Sequence, residues 1–493
     1  MAIWDNKNKE WPPEGWQSLY DRLDELAVWY GGDPNHLLRY YESKVNPHKI
    51  DFYWGMKWEE ETREAVHLPI AGDIAQMSAN LLFGEAPDIQ YGLDDKGAKI
   101  SDDMVARVKT FIDENGLINL LLEGAEMAAA LSGIFFKLDY DPILSDTPLL
   151  TTRSPQQAFP EFRSGRLWAV TFHREVKTEQ SGAIFRLFER RHIENKKLNI
   201  TYKLYKGTSS QLGREMRLDS IDETKDLNLQ DEVINIPVLG VVYVPNMKPN
   251  KLIPGSPLGD GDYRSCVGLM DSLDFVWSSW LRDIELGLGQ LIVDEGLLQD
   301  GKISKLQRVF VKLNMEPIRL GSEKYEPIKP IQFQIRTDDH MKACDTLVRN
   351  IIGMSGYSPQ SFGLVEYGQQ TDSGTALRIR ERKSLLTRAK KGGYWTPELK
   401  KLFYQMQLFD GAKTGKIYEP MPVNVILQDS VIQDEKETAA IVRELEQAKA
   451  ASTYIKVKTL HPGWSEEDVE KEVERIYRDN SMGLEELPYE NIS

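Results

Sequence analysis

At 493 residues the chain is too long for one ordinary core, so two to four structural units are expected. Its 61 basic and 76 acidic residues leave a formal charge of −15, which excludes a protein that coats DNA or an anionic membrane by bulk attraction. Two cysteines, Cys266 and Cys344, exclude a disulfide framework and a cysteine-based zinc site and point to a reducing cytosol.

The opening "MAIWDNKNKEWPPEGW" lacks the apolar core of a secretory signal, and the longest apolar run, Ile236 to Pro245, is far too short to cross a membrane. From Trp16 to Tyr30 the spacing of Trp16, Leu19, Leu23, Leu26 and Tyr30 predicts an amphipathic helix ended by Gly31 and Gly32. Ile70, Ile74, Met77 and Leu81 form a second stripe that stops at Gly84. "SDDMVARVKTFIDENG" reads as a third helix with Ser101 as its cap and Gly116 past its last turn, and "LINLLLEGAEMAAALSG" reads as a fourth. The first 133 residues are therefore expected to be mainly helical.

Near Ile134 the pattern changes. "GIFFKLDYD", "PLLTTRS", "RLWAVTFHREV", "AIFRLFERRHI" and "LNITYKLYKG" are short β-prone runs, expected to form one antiparallel meander over 134–207. A further strand is expected at 236–245, followed by a linker rich in proline and glycine over 246–262.

Beyond the linker, Leu273, Trp277, Trp280, Ile284 and Leu288 predict a long amphipathic helix over about 263–290. A strand-and-turn insertion over 291–337 separates it from a second helix over 338–355, which makes a helical hairpin with a small β tip. A loop over 356–372 leads into a helix starting at Ser373, expected to halt at Gly392 and Gly393 and to restart at Thr396 and Pro397. "MPVNVILQDS" is a strand candidate, and 430–493 is charged and helical, with Ser465 capping the last helix.

No enzymatic signature is present. Neither the loop around Gly363 and Gly368 nor "GAKTGK" at 411–416 has the spacing that cradles phosphate, and the seven histidines show no ligand pairing. No Gly-x-Ser-x-Gly elbow occurs, so the expectation is no catalytic residue, no cofactor and no metal. Acid clusters such as Glu59, Glu60 and Glu61 read as solvated faces. The segment after the loop carries Arg378, Arg380, Arg382, Lys383, Arg388, Lys390 and Lys391 against Glu366, Asp372 and Glu381, a local basic excess in an acidic chain. Arg378, Arg380, Arg382 and Lys383 could meet DNA or the acids of a neighbouring subunit, and both readings stay open.

The order of these parts resembles the portal proteins (head-to-tail connectors) of tailed bacteriophages, of the siphophage type. The matching residues are "HLPIAGDIAQMSANLLFGEAPDI", then Ser373, Gly374, Ala376 and Leu377 opening the basic helix, and Glu474, Arg475 and Ile476 near the end. The resemblance spans roughly 60–480 and implies an α+β portal fold with the enzyme reading set aside. Residues 61–262 would form a wing, helical over 61–133 and β-rich over 134–245. The helices 263–290 and 338–355 would be stem helices one and two, 291–337 an α/β clip, and 356–372 a tunnel loop. The chain would return to the wing over 373–429 and end in a helical crown over 430–493, while 1–60 carries no motif of that family.

The resemblance also implies a ring, twelve subunits in the usual case, at one vertex of the capsid of a virion assembled in the cytoplasm of a host bacterium. Double-stranded DNA would be packaged and ejected through it without sequence specificity. Implied partners are the terminase large subunit, a head-completion or adaptor protein, and major capsid and scaffolding proteins, with no membrane. Gly363, Leu364, Val365, Glu366, Tyr367, Gly368, Gln369 and Gln370 would face the DNA channel, with Glu366 their only charge. Leu273, Trp277, Trp280 and Ile284 would form the stem subunit interface. Twelve copies at −15 each carry about −180, a field that would let DNA slide rather than stick. The competing reading is a metal-dependent nucleic-acid-processing enzyme whose acids converge only in the fold.

Overall fold

The computed structural model describes residues 9–43, 53–55, 66–92, 102–225, 227, 229–287, 290–294, 310–313, 328–331, 335–364, 374–415, 419–428, 435–461, 464 and 466–482. The expected caps Ser101 and Ser465, together with Leu288, lie outside these residues, as does most of the insertion between the hairpin helices. The chain divides into two units, residues 1–365 with 383–428 and residues 366–382 with 429–493.

Apolar spacing of three and four builds the helical layer of the first unit. It comprises α1 (Gln17–Gly31), α2 (Pro34–Ser43), α3 (Ile70–Phe83), α4 (Asp102–Glu114) and α5 (Leu117–Leu131), of which α2 adds to the expected elements. In α1 the stripe Leu19, Leu23, Leu26 and Trp29 is buried. Helix α3 packs along α5. The facing residues Ala71, Ala75 and Ala79 on α3 and Ala125, Ala128 and Ala129 on α5 are buried, and their small side chains allow close approach of the two backbones.

The predicted single meander is instead divided between two sheets. Strand β1 (Asp88–Tyr91) pairs far along the chain with β14 (Val423–Ile426). Strand β2 (Gly133–Asp139) lies between β3 (Leu149–Arg153) and β10 (Val241–Pro245) in an antiparallel three-stranded sheet. The meander proper runs through β4 (Ala158–Arg163), β5 (Arg166–Thr178), β6 (Ile184–Glu194), β7 (Lys197–Gly207) and β8 (Arg214–Met216), with β9 (Glu232–Ile234) on β7. The division follows from patterning. Gly133 through Leu138 and all of β10 are buried, so both faces of these strands require cover, whereas β5 is buried only over Ala169–Phe172 and opens to solvent toward its ends. Gly133 is needed where β2 opens, since a Cβ there would sit 2.4 Å from the Tyr243 hydroxyl.

A short helix α6 (Asp222–Lys225) precedes β9. The hairpin then follows as α7 (Val267–Leu286) and α8 (Thr337–Met354), packed together. Between them β11 (Gln290–Asp294) pairs in parallel with β12 (Phe310–Leu313) and antiparallel with β13 (Ile328–Ile331). Helix α9 (Gly374–Thr414) runs without interruption through Gly392, Gly393 and Pro397, so the expected stop and restart do not occur. A proline inside a helix costs about 3 kcal/mol. Just beyond it Leu399, Leu402, Phe403 and Met406 are buried with Trp395, each worth about 1.5–3 kcal/mol, so burial wins.

The second unit contains α10 (Glu435–Gln447), α11 (Thr453–Leu460) and α12 (Glu466–Met482). Ser452 caps α11 by accepting the Ile455 N–H, and among the described residues of this unit Val457 on α11 and Val469 on α12 are buried and apolar.

Candidate functional site

The segment leaving α8 passes through Gly356 at φ +98° and a short 3-10 turn, Pro359–Phe362, to Gly363 at φ +72°. Both glycines occupy the left-handed region that side chains disfavour, and a Cβ at Gly356 would also lie 3.0 Å from Thr387 Oγ1. Of the residues expected to face the channel, Gly363 and Leu364 are described. Val365, Glu366, Tyr367, Gly368, Gln369 and Gln370 lie outside the described residues.

Helix α9 holds this segment along one face. Ser384 Oγ accepts the Ser358 N–H at 2.9 Å and lies 2.8 Å from Ser361 Oγ. Thr387 Oγ1 donates to the Gly356 carbonyl at 2.5 Å, and the Lys383 ammonium reaches the Gly353 carbonyl. Deeper still, Lys391 Nζ donates to Asp262 Oδ2 and to Ser78 Oγ, both at 2.6 Å. Tyr357 donates to the same Asp262 oxygen at 2.6 Å, and Asn246 donates to the other at 2.8 Å. Burial pushes the Lys391 ammonium below its usual pKa, against the pull of the Asp262 charge, and pushes the Tyr357 phenol well up.

The basic segment therefore divides by position. Lys391 is 1 % exposed and spent on an internal ion pair, and Arg388 donates to the carbonyls of Leu81 and Gln428. Arg380 is half-buried, Arg382 is exposed, and the side chain of Arg378 lies outside the described residues.

On the hairpin the four predicted interface residues differ. Leu273 is 1 % exposed and belongs to the chain's own core. Trp277 and Trp280 are half-buried, edge to face with centroids 5.3 Å apart. Ile284 is 42 % exposed, in company with Phe275, Leu281 and Met341. Asp283 ties α7 to the start of α8 by accepting from Arg336 at 2.8 Å and pairing with His340 at 2.9 Å, and these bonds hold its carboxyl below the usual range. The His340 ring stacks on Trp280.

Sequence reasoning missed Ser384, Thr387, Asp262 and Tyr357, and read Lys391 as one of the basic run rather than as a buried residue. The only available signal was the spacing 384, 387, 391, which places three polar groups on one helical face. It also missed Asp271 and Asp274, acids on the apolar side of α7 that anchor the backbone of Tyr53 and Leu68. Among the described residues no three His, Cys, Asp or Glu side chains lie close enough together to hold a metal ion, and no helix is long and apolar enough to cross a membrane.

Residues 13–485 match the family described as phage portal protein, SPP1 Gp6-like, and the chain belongs to that family. Its role is accordingly that of a portal, or connector, in a structural family. No curated protein matches the chain. Similar solved structures include the neck of an empty GTA particle computed with C6 symmetry, with 12% identity, TM-score 0.41, and coverage of 80% of this chain and 90% of that one. The neck of a native GTA particle computed with C12 symmetry has 11% identity, TM-score 0.41 and the same coverage. The virion of a native gene transfer agent particle has 10% identity and TM-score 0.41, covering 93% of this chain and 97% of that one.

Proposed function

We propose that copies of this chain close into a ring, twelve in number, at one vertex of a virion capsid, and that double-stranded DNA enters and leaves through it. In this reading the loop 363–370 lines the channel without reading sequence. The tip between α7 and α8 serves first as the docking surface of the packaging terminase and then of head-completion proteins. Capsid and scaffolding proteins contact the outer face, and assembly takes place in the bacterial cytoplasm. The observation that carries the reading is the short apolar strip Leu281 and Ile284, three residues apart on α7 and both left exposed. A heterologous interface repeated by rotation covers such a strip on every copy at once. Mass photometry and negative-stain microscopy of the purified protein test it. Rings with rotational symmetry are expected, and monomers under all salt conditions would overturn it.

A further inference from the structure

We propose that one rim of the six-stranded sheet, carrying Arg163, Arg166, Lys196 and Lys197, binds the phosphate backbone of double-stranded DNA by charge, without reading its sequence. This surface uses none of the residues expected to face the channel, and it stands whether or not copies of the chain close into a ring.

Topology brings the four cations together. The turn between β4 and β5 is Ser164 and Gly165, at φ +49° and +75°, and the turn between β6 and β7 is Asn195 and Lys196, at φ +52° and +61°. Two successive residues at positive φ make the tight turn that suits twisted antiparallel strands. Strand β5 is antiparallel to both β4 and β6, so the two turns lie at the same end of the sheet. Two strand spacings separate their centres, about 10 Å. Arg163, Arg166, Lys196 and Lys197 are all exposed. Of the acids at this end, Glu161 pairs with Arg190 and Glu194 lies 3.8 Å from His192. Among the described residues none of the four cations forms an ion pair with a carboxylate.

This arrangement works against the stability of the sheet. Arg163 and Arg166 are direct cross-strand partners, and like charges placed opposite each other repel. Lys196 occupies a left-handed position that few residues with a side chain adopt. A polyanion lying across the rim removes the repulsion and gives Lys196 a use. The Arg163 guanidinium lies over the Trp168 ring, 3.5 Å from its centroid, which holds the group flat with its N–H edge free for phosphate oxygens.

The chemistry of the rim selects nucleic acid over other anionic partners. Residues 163–166 and 194–197 include no apolar side chain. A protein partner would be met by an apolar centre, and a membrane surface by apolar side chains entering the lipid. A row of phosphates requires cations alone. With the whole chain at −15 there is no long-range attraction, so binding is local and weakens steeply with salt.

Fluorescence anisotropy of a duplex of about 30 base pairs, titrated with the purified full chain at several salt concentrations, tests the proposal. The variant with Arg163→Gln, Arg166→Gln, Lys196→Gln and Lys197→Gln is expected to bind at least about tenfold more weakly at low salt, and its plot of log affinity against log salt should flatten by about 3–4, since each phosphate contact contributes about 0.9. Each pair of substitutions confined to one turn should give about half of that flattening. A control with Lys177→Gln, Lys203→Gln, Arg217→Gln and Lys401→Gln makes the same change in net charge at cations already paired with carboxylates, and should leave the slope unchanged. The rim variant should melt no lower than the unaltered chain, because a repulsive pair is gone. Absence of duplex binding by the unaltered chain at low salt, an unchanged slope in the rim variants, or equal losses in rim variant and control each overturn the proposal. Equally tight binding of the unaltered chain to phosphatidylserine vesicles overturns the assignment to nucleic acid.

Discussion

His67 Nδ1 lies 2.7 Å from Asp274 Oδ2, with both side chains almost completely enclosed. Asp274 also accepts the Trp54 indole N–H at 2.9 Å and the Leu68 amide at 3.0 Å, so one carboxylate on α7 anchors a stretch more than two hundred residues upstream. Asp274→Ala leaves all three groups unpaired in a buried place and is expected to lower unfolding free energy by about 3 kcal/mol or more. Asp274→Asn keeps one acceptor oxygen and should lose less. Urea unfolding midpoints decide, and a loss under about 1 kcal/mol for alanine would show that the anchor contributes little.

Stability at acid pH should depend on Glu189. Burial alone would raise its carboxyl, but Arg191 at 2.6 Å and Lys137 at 2.7 Å outweigh burial and bring it down from 4.5 to about 2. The folded value is the lower one, so this stabilisation is complete above about pH 4.5 and disappears as the pH falls toward about 2. Glu189→Gln should be less stable at neutral pH and show a shallower decline across that window in thermal melts taken at successive pH values.

His173 should add a second acid-sensitive step at higher pH. It is enclosed by Trp11, Tyr20, Phe159 and Phe188, and burial, assisted by repulsion from Arg186, brings its pKa down from 6.5 to about 3. The unfolded chain takes up this proton first, so stability is full above about pH 6.5 and falls as the pH drops toward about 3. His173→Phe keeps a ring in the cluster and should flatten the melting temperature between pH 6.5 and 4.5. An unchanged slope would show that the histidine does not stay neutral.

Two substitutions on α7 separate folding from assembly. Leu273→Ala opens a cavity in the chain's own core and should cost about 2–5 kcal/mol. Ile284→Asp changes an exposed position and should alter monomer stability by less than about 0.5 kcal/mol while abolishing rings in mass photometry. Rings formed normally by the aspartate variant would place the subunit contact elsewhere.

Pro397→Ala restores an amide inside α9 and removes the ring that crowds the carbonyl of Gly393. A gain of about 1–3 kcal/mol is expected, read as a higher urea midpoint with unchanged slope.

Where one stripe met one neighbour, the chain was legible: Leu19, Leu23 and Leu26 are buried as their spacing requires, and the α7–α8 hairpin with its β tip appears in order. Local signals failed where distant burial overruled them. Gly392, Gly393 and Pro397 read as a break, yet the apolar face from Trp395 to Met406 carries the helix through. "GIFFKL" reads as the first strand of a meander, yet its partner β10 lies about a hundred residues downstream. At the candidate site the stripe on α7 was visible, although nothing in the spacing separates Leu273, turned inward, from Ile284, turned outward. The basic run after the loop was visible as charge, but not that Lys391 would be buried against Asp262, because a charged residue gives no sequence sign of being enclosed.

The pairing of β1 with β14 has a consequence for how the protein is made. Residues 88–91 leave the ribosome about 330 residues before their partner at 423–426, and Arg107 waits nearly as long for Asp410. At roughly 5–20 residues per second that delay is on the order of 17–66 seconds. During it the N-terminal helices remain without part of their cover and without a sheet edge. The first unit therefore cannot be completed until residue 426 has been synthesised, so its fold closes late in translation by topology alone.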